Sequence, residues 1–359
     1  SVCYIMPNKK RTEQLRVCQE NAIRTFHERR TSCEKQTNLT LCTGSGKTRI
    51  IQEITTQKER RIIVFPWLAL LIQFWNDKLN PFKNERCVRY LATEGTLNGV
   101  KRLEEHMDEL DETDYVILTT YSSAPEVFRK VAERESRSID LLVHDEAHRV
   151  RREQYSQSLK SIEHFVSHRV DLSATLPEKS HYKYSLLRGI KDKVVRDFNM
   201  EIFLCTDSER SQSKLFVEII ENLLRKHPQV KLLVYTSEAN TNEDTSSSVK
   251  TYLNLNRAAA EARGWWMKGL NEESMGDRED IMKEFQENRD VSILVSCRTI
   301  SEGVDLKNAN CMMPWDASQS PIDNIQRIGR VLRLYKDEEG NLRPEEDQYP
   351  STVFIPVFL

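Results

Sequence analysis

A glycine-rich turn between two regular elements is the feature that most constrains this fold. Residues 43–48 read TGSGKT, and they follow a predicted strand at 38–42 (NLTLC) and precede a helical pattern at 49–57. A strand, a glycine turn and a helix in this order begin a βα unit. Glycines allow successive backbone N–H groups to face one anion, and the helix N-terminus adds the positive end of its dipole. The sequence therefore predicts an α/β fold with a phosphate-binding loop.

The rest of the chain repeats the alternation of short apolar runs with longer helical stretches. Such alternation is typical of mostly parallel sheets flanked by helices. At roughly 150 residues per domain, the 359 residues fit two domains, which we predict at 1–200 and 201–359, with a polar connecting region at 177–210. The predicted strands are 38–42, 61–65, 115–119, 139–144, 169–173, 231–235, 291–296, 309–313 and 352–357.

Charge and cysteine usage exclude several classes of protein. The formal net charge of −2 excludes a globally basic nucleic-acid coat, although it allows a locally basic groove. No apolar run approaches the ~20 residues of a membrane span. The eight cysteines are scattered without a CxxC pair, which is typical of reduced thiols and not of a disulfide framework or a zinc ribbon. We therefore expect an intracellular protein, cytoplasmic or nuclear, that is not secreted and does not enter a membrane.

The phosphate loop predicts specific roles for two side chains. Lys47 would reach the β- and γ-phosphates of a bound nucleotide, and the Thr48 hydroxyl would bind Mg²⁺. The general phosphate-loop pattern begins with glycine at the position that Leu41 occupies here. A plain glycine-rich turn is the alternative interpretation, and the flanking strand and helix disfavour it.

A second candidate cluster follows the apolar run at 139–144. Residues 145–148 read DEAH, and in open parallel sheets ligands bind beyond the carboxyl ends of strands. Asp145 could hold Mg²⁺ through its water shell, and Glu146 could orient and deprotonate a water molecule. Adjacent carboxylates are also common on protein surfaces, so the phosphate loop upstream is what favours a catalytic role.

The ordered motifs together resemble those of superfamily 2 helicases and translocases, with a DEAH form of motif II. Members of this family carry two tandem RecA-like domains, each a mostly parallel sheet, with one ATP site in the cleft between them. The resemblance therefore implies the same fold and an ATP hydrolase that moves along nucleic acid. The segments that carry it are an adenine-recognition segment at 15–19 and motifs I (43–48), II (145–148), III (173–175), IV (232–237), V (299–305) and VI (326–333).

The resemblance also implies residue roles, position by position. Catalysis falls to Glu146, Gln326, Arg330 and Arg333, the arginines acting as fingers on the γ-phosphate. Coupling of hydrolysis to movement falls to His148, Ser173 and Thr175. The family's adenine segment normally has an aromatic residue where this chain has Cys18. The implied nucleotide-binding residues are Gln19, Thr43, Gly44, Ser45, Gly46, Lys47, Thr48, Gly303 and Asp305.

Two further segments, 65–75 and 119–123, resemble the loops with which the family holds one nucleic-acid strand by its backbone. We expect little sequence preference there, and we expect Trp67, Phe74 and Trp75 to be core residues. The implied contact residues are Pro66, Gln73, Thr119, Thr120 and Thr299.

The choice of substrate rests on the subfamily. The DEAH motif, the Gln-led motif VI and residues 302–305 (EGVD) resemble restriction-enzyme motor subunits and DNA repair translocases, which favours DNA over RNA. The alternatives are an RNA-directed helicase, a non-hydrolysing nucleic-acid-binding scaffold and a nucleotide switch that signals to a protein. We expect a monomeric core, with additional domains or subunits possible beyond Leu359.

Overall fold

The computed structural model describes residues 14–84, 88–91, 101–103, 114–134, 138–151, 153–176, 179–205, 209–236, 246–270, 278–287, 289–297, 306, 308–315, 321–337, 339 and 341–358. The chain separates into two compact units, Ser1–Ser185 and Leu186–Leu359. Each unit has its own sheet and its own core of buried apolar side chains. The expected architecture of two RecA-like domains with parallel sheets is confirmed.

The first unit contains an eight-stranded sheet in which every described pairing is parallel. Its strands are β1 (Gln36–Leu41), β2 (Arg61–Phe65), β3 (Val88–Leu91), β4 (Lys101–Arg102), β5 (Tyr115–Thr120), β6 (Ile139–Asp145), β7 (Val166–Ser173) and β8 (Tyr182–Tyr184). They lie in the order β4-β3-β5-β2-β6-β7-β1-β8. Its helices are α1 (Val17–Thr31), α2 (Lys47–Ile54), α3 (Leu68–Asn76), α4 (Ala124–Ala132) and α5 (Glu153–Ile162).

This strand order positions the candidate site. Strands β1, β7 and β6 are neighbours, and because they are parallel their carboxyl ends meet at one edge of the sheet. The phosphate loop follows β1, the motif 173–175 follows β7, and the DEAH residues follow β6. Leu141, Leu142 and Val143 of β6 are fully buried, as expected for a strand covered on both faces.

The second unit contains a six-stranded sheet that is also parallel at every described pairing. Its strands are β9 (Phe198–Cys205), β10 (Val230–Tyr235), β11 (Trp266–Leu270), β12 (Val291–Ser296), β13 (Cys311–Pro314) and β14 (Ser351–Phe358), in the order β11-β12-β10-β13-β14-β9. Its helices are α6 (Leu186–Lys191), α7 (Glu209–Leu224), α8 (Ser246–Glu261), α9 (Arg278–Gln286) and α10 (Pro321–Val331).

The region 177–210 differs from the sequence-based expectation of a polar connection, because it contains β8, α6 and β9. Strand β9 lies at the edge of its sheet, and Met200, Ile202 and Leu204 are exposed on it. Asn199 and Glu201 interrupt the apolar run, and a strand with one exposed side lacks the simple apolar pattern that usually reveals a strand. Leu186 and Ile190 of α6 pack against the core of the second unit. The compact units thus divide at 185/186, whereas the sequence analysis placed the domain boundary at 200/201.

Candidate active site

The phosphate loop turns sharply between β1 and α2. Gly44 and Gly46 adopt left-handed backbone conformations with φ of 85° and 87°, which side-chain-bearing residues rarely adopt. Ser45 between them is buried, and its hydroxyl donates to the carbonyl of Cys42 at 2.7 Å. The loop is therefore fixed from inside, as an anion-binding turn at a helix N-terminus requires.

Two side chains at the start of α1 donate hydrogen bonds to the backbone carbonyls of this loop. The Gln19 amide nitrogen donates to the carbonyl oxygens of Ser45 (3.1 Å) and Gly46 (3.2 Å). The Arg16 guanidinium donates to the carbonyl of Gly44 at 2.9 Å. Both N–H groups of the Gln19 amide are thus used on the loop itself, a role that sequence reasoning missed. The predicted contact of Gln19 with adenine stays a prediction.

Lys47 and Glu146 connect the phosphate loop to the DEAH segment. The Lys47 ammonium lies 3.0 Å from Oε1 of Glu146, so the first residue of α2 is ion-paired to the residue that follows β6. Glu146 has a left-handed backbone with φ of 50°, and its N–H donates to Oδ1 of Asp145 at 3.0 Å. Residues held in such strained conformations cluster at functional sites.

The charges of this cluster determine which carboxyl group is ionised. Burial would lower the pKa of Lys47, but the charges of Glu146 and Asp145 outweigh it and raise that pKa above its ordinary value. Burial acts to raise the pKa of Glu146, yet Lys47 and His148 bring it well below its usual range. The pKa of Asp145 is raised by burial and by the neighbouring Glu146 charge. Glu146 is therefore ionised, which is the form that a general base needs.

The predicted coupling residues gather around the same carboxylate. The Ser173 hydroxyl donates to Oε2 of Glu146 at 3.3 Å, and its oxygen lies 3.0 Å from Nδ1 of His148. Because Ser173 has only one hydroxyl hydrogen, Nδ1 of His148 is the donor in the second contact. The backbone N–H of Thr175 also donates to the Ser173 hydroxyl at 3.2 Å. The structure thus brings three predicted residues together at Glu146.

A cavity of about 510 Å³ opens at the carboxyl ends of β2 and β5. Pro66 and Thr120, both predicted to contact nucleic acid, line it. Gln73 is exposed on α3, and Thr119 is fully buried in β5, so neither belongs to its lining. The remaining lining residues are Trp67, Leu68, Tyr121, Ser122, Ser123, Pro125, Arg149, Gln154 and Tyr155.

Trp67 departs from the expectation that it is a core residue. Phe74 and Trp75 are buried as predicted, but Trp67 is half-buried in the cavity wall. The Arg149 guanidinium lies 4.1 Å from its ring centroid, a cation–π contact. The sequence signal for this arrangement is position, since Trp67 directly precedes the helix α3 while Phe74 and Trp75 lie on its buried face.

In the second unit, Gln326 and Arg330 are half-buried on α10, and Arg333 follows the end of that helix. Arg327, between them in sequence, is buried with its guanidinium 4.8 Å from the ring centroid of Tyr235. The predicted site residues Thr299, Gly303 and Asp305 lie outside the described residues.

Arg196 is a residue that sequence reasoning missed. Its guanidinium donates to the carbonyl oxygens of Arg333, Val331 and Ala309, each at 2.6 Å. Arg196 lies outside every motif. Its position next to an apolar segment is the only sequence signal that could have drawn attention to it. Arg196 holds the backbone at the end of α10 in place.

Comparison with known proteins matches each unit to a family model. Residues 12–178 match the family of the type III restriction enzyme res subunit, and residues 215–335 match the helicase conserved C-terminal domain. The ATP-dependent RNA helicase DDX55 of Bos taurus is 22% identical, over 87% of this chain and 55% of its own length. The Saccharomyces cerevisiae protein IRC3, named for an ATP-dependent helicase, is also 22% identical, over 94% of this chain and 51% of its own. The chain thus spans about half the length of these two relatives.

Solved structures show the same fold. A fragment assigned as an HsdR subunit of a type I restriction enzyme from Vibrio vulnificus has a TM-score of 0.67 at 16% identity, covering 95% of this chain and 64% of its own. The ATP-dependent type ISP restriction-modification enzyme LlaBIII, solved bound to DNA, has a TM-score of 0.70 at 14% identity, covering 97% of this chain and 28% of its own. In the part of the chain that the structure describes, no helix is both long and apolar enough to cross a bilayer. Since the restriction-enzyme subunit match and the helicase domain match together cover most of the sequence in the expected order, the chain belongs to the superfamily 2 helicases.

Proposed function

We propose that this chain is an ATP-dependent nucleic-acid motor, a helicase or translocase that hydrolyses ATP to move along DNA. The observation that carries the proposal is the meeting of Lys47 and Glu146 at 3.0 Å. This contact joins a phosphate loop to an ionised carboxylate at one edge of a parallel sheet. A lysine that grips phosphates and a base that activates water are the two groups that hydrolysis of a triphosphate requires.

The residues of the first unit divide the work of hydrolysis. Backbone N–H groups of the phosphate loop and the Lys47 ammonium bind the phosphates. Glu146 exchanges its ion pair with Lys47 for a water molecule, orients that water and takes its proton. Ser173 and His148 hold Glu146 in place through the contacts at its Oε2.

The donor atoms suit magnesium. The Asp145 carboxylate is buried and the Thr48 hydroxyl is exposed at the start of α2, and Mg²⁺ prefers such hard oxygen ligands together with several waters. Thr48 and Asp145 would hold the ion, which neutralises charge on the β- and γ-phosphates when bound. Among the described residues no cluster of three His, Cys, Asp or Glu side chains offers another metal site.

Motif VI supplies the remaining catalytic groups in this proposal. Arg330 and Arg333 stabilise charge on the γ-phosphate oxygens, and Gln326 acts near the same phosphate. Gly303 and Asp305 bind the nucleotide, Asp305 through its ribose. The motif order along the chain supports these assignments.

The substrate we propose is DNA. The LlaBIII structure, whose fold this chain shares, was solved bound to DNA. Pro66 and Thr120 line a cavity beside the site, where hydroxyl and N–H groups can bind phosphate without reading bases. Several relatives are named as RNA helicases, so an RNA-directed helicase is the second candidate.

The first test is a steady-state phosphate-release assay with single-stranded DNA, duplex DNA and RNA at one salt concentration, since phosphate contacts make affinity steeply salt-dependent. We expect stimulation that is strongest with DNA. Lys47→Ala should lower the stimulated rate roughly 10²–10³-fold, and Glu146→Gln roughly 10²–10⁴-fold. Lys58→Ala, at an exposed lysine after α2, is the matched control and should retain the rate.

Full activity of both site variants would overturn the site assignment. Stimulation by RNA alone would favour the RNA-directed helicase. No phosphate release despite nucleic-acid binding would indicate a non-hydrolysing scaffold. ATPase activity that only a protein partner stimulates would indicate a nucleotide switch.

Arg330→Ala separates turnover from binding. We expect unchanged nucleic-acid affinity and a fall in turnover of about 10³–10⁵-fold, because a finger arginine acts on charge that develops in the transition state. Fluorescence anisotropy with a labelled oligonucleotide measures affinity, and phosphate release measures turnover. An equal loss of both quantities would contradict the finger role.

A further inference from the structure

A continuous row of buried polar side chains lies beneath the candidate active site. His144, which directly precedes Asp145, contacts Asp171 of β7 through Nδ1 at 2.6 Å and the Tyr155 hydroxyl through Nε2 at 2.6 Å. All three side chains are nearly inaccessible to solvent. Buried polar groups in apolar strands are costly unless they are fully paired. Apolar side chains would pack these positions without that requirement, so the presence of polar groups here suggests a function.

The direction of each hydrogen bond in the row follows from the donor inventory. Asp171 accepts from the Gln36 amide at 2.9 Å and pairs with Arg169 at 3.1 Å, so it acts as an acceptor toward His144. Nδ1 of His144 is then the donor to Asp171, and Nε2 accepts the Tyr155 hydroxyl hydrogen. The Tyr155 ring is thereby held at a fixed height and orientation.

The other end of the row reaches the active-site backbone. The Tyr155 and Tyr121 rings are in edge contact, with centroids 4.8 Å apart. The Tyr121 hydroxyl donates to the backbone carbonyl of Asp145 at 3.0 Å. Both tyrosines also line the cavity that contains Trp67 and Arg149. One pair of rings therefore contacts the cavity on one side and the Asp145 backbone on the other.

We propose that Tyr121 and Tyr155, anchored by His144 and Asp171, are positioning residues that couple nucleic acid in this cavity to the setting of Asp145 and Glu146. The inference rests on the proposed function, because it needs a nucleotide and a nucleic acid bound to the same chain. Nucleic acid that enters the cavity packs against a wall in which the half-buried Trp67 and Arg149 lie beside the edges of the two mostly buried rings. A shift of this wall moves the rings, and the Tyr121 hydroxyl transmits their position to the Asp145 backbone. Phosphate loop, DEAH residues and cavity all lie in the first unit.

The test measures the coupling itself. The dissociation constant of a labelled DNA oligonucleotide is determined with and without a non-hydrolysable ATP analogue, and the ratio of the two values is the coupling factor. For coupled sites this factor is typically about 5–150. We expect Tyr121→Phe and Tyr155→Phe, which remove only a hydroxyl group, to bring the factor at least threefold closer to one. Because the ratio compares two dissociation constants of the same variant, a mutation that weakens both equally leaves the ratio unchanged.

A third variant acts away from the cavity wall. Asp171→Asn keeps the shape of the side chain but favours the wrong tautomer of the histidine that it orients. It should lower the coupling factor in the same direction. Tyr252→Phe is the matched control in the second unit, since the buried Tyr252 hydroxyl has no hydrogen-bond partner among the described residues. This control should keep the wild-type factor.

The outcomes separate the two ideas. A wild-type chain with no ATPase activity and no coupling would overturn the proposed function and the inference with it. Wild-type coupling that persists unchanged in Tyr121→Phe, Tyr155→Phe and Asp171→Asn would overturn the inference alone. Thermal unfolding of each variant identifies any that fail to fold, and the three changes lie on three different elements, so loss of one leaves the others decisive.

Discussion

Gly46 is subject to two separate constraints in the phosphate loop. Its φ of 87° lies in the left-handed region, and a Cβ added there would stand 2.3 Å from the Gln19 amide nitrogen. The first constraint concerns the backbone of Gly46 itself, and the second concerns the contact by which α1 holds the loop. The two can be separated experimentally because the chain contains a glycine that has only the first.

Gly46→Ala should weaken nucleotide binding, because it adds about 1–2 kcal/mol of left-handed strain and also displaces the Gln19 amide from the loop. Gly264, with φ of 67° and no heavy atom within 4 Å of an added Cβ, is the matched position. Gly264→Ala should cost only the strain and should leave binding of a fluorescent ATP analogue unchanged. The double variant Gly46→Ala with Gln19→Ala should regain part of the affinity. Equal affinities for the two glycine variants would contradict this account.

Strand pairing explains how two consecutive residues of β6 belong to different polar clusters, His144 to the buried row and Asp145 to the candidate active site. β6 and β7 pair in parallel, with His144 opposite Asp171 and Asp145 opposite Leu172 in the register. Alternation along β6 then directs successive side chains to opposite faces of the sheet. One position supplies the buried row of polar groups, and the next supplies the carboxylate.

The end of α10 depends on one buried cation. Arg196 donates to four backbone carbonyls, and two of them, those of Val331 and Arg333, are at or just beyond the helix C-terminus. Its guanidinium lies 3.7 Å from the Tyr335 ring centroid. A cation there also complements the helix dipole. Because Arg333 is a proposed finger, the position of this segment bears on turnover as well as on stability.

Arg196→Ala should lower the free energy of unfolding by roughly 3–5 kcal/mol, since it leaves several buried carbonyls without a donor. Arg196→Lys should recover only part of this, because an ammonium lacks the planar fork of a guanidinium. Urea denaturation measures both changes. Arg225→Ala, at an exposed arginine after α7, is the control and should stay within about 0.5 kcal/mol of the wild type. A similar loss of stability in both alanine variants would refute this role of Arg196.

Each unit of the protein contains a buried neutral histidine. In the first, Nε2 of His168 lies 2.9 Å from the Thr37 hydroxyl; in the second, Nε2 of His227 lies 2.9 Å from the Thr352 hydroxyl. Burial lowers the pKa of each to about 4, and neighbouring arginines add to the shift. Both histidines therefore bind protons more readily in the unfolded chain than in the folded protein.

This difference predicts acid-sensitive stability. The contribution is complete above the unfolded pKa of about 6.5 and is lost as the pH falls toward about 4, by up to about 3 kcal/mol per histidine. Urea denaturation at pH 7.5, 6 and 5 measures the slope. His168→Gln and His227→Gln should each flatten this slope relative to the wild type. At pH 7.5 this account does not require the variants and the wild type to be equally stable. A slope that is the same in all three proteins would contradict it.

Local patterns predicted most of the architecture. Nine predicted strands all correspond to observed strands, because apolar runs in parallel sheets are long and continuous enough to be read directly. The short or edge strands β3, β4, β8, β9 and β11 were missed, because a strand with one exposed side or few residues leaves little apolar signal. Motif order predicted that the phosphate loop and the DEAH residues share one site, since parallel strands bring their carboxyl ends to one edge. The ion pair between Lys47 and Glu146 is a finding of the structure alone.

The motifs, their order and the parallel α/β class can be read from the amino-acid sequence, because each depends on residues within a few positions of one another. The partners of the buried polar groups cannot. His144 meets Asp171 and Tyr155, and Arg196 meets the end of α10, only because strand register and helix packing bring distant segments to the same place. Register is set by the burial of whole faces of a sheet and not by any one pair of residues. The candidate chemistry is therefore legible in the sequence, whereas its proposed connection to the cavity exists only in the folded chain.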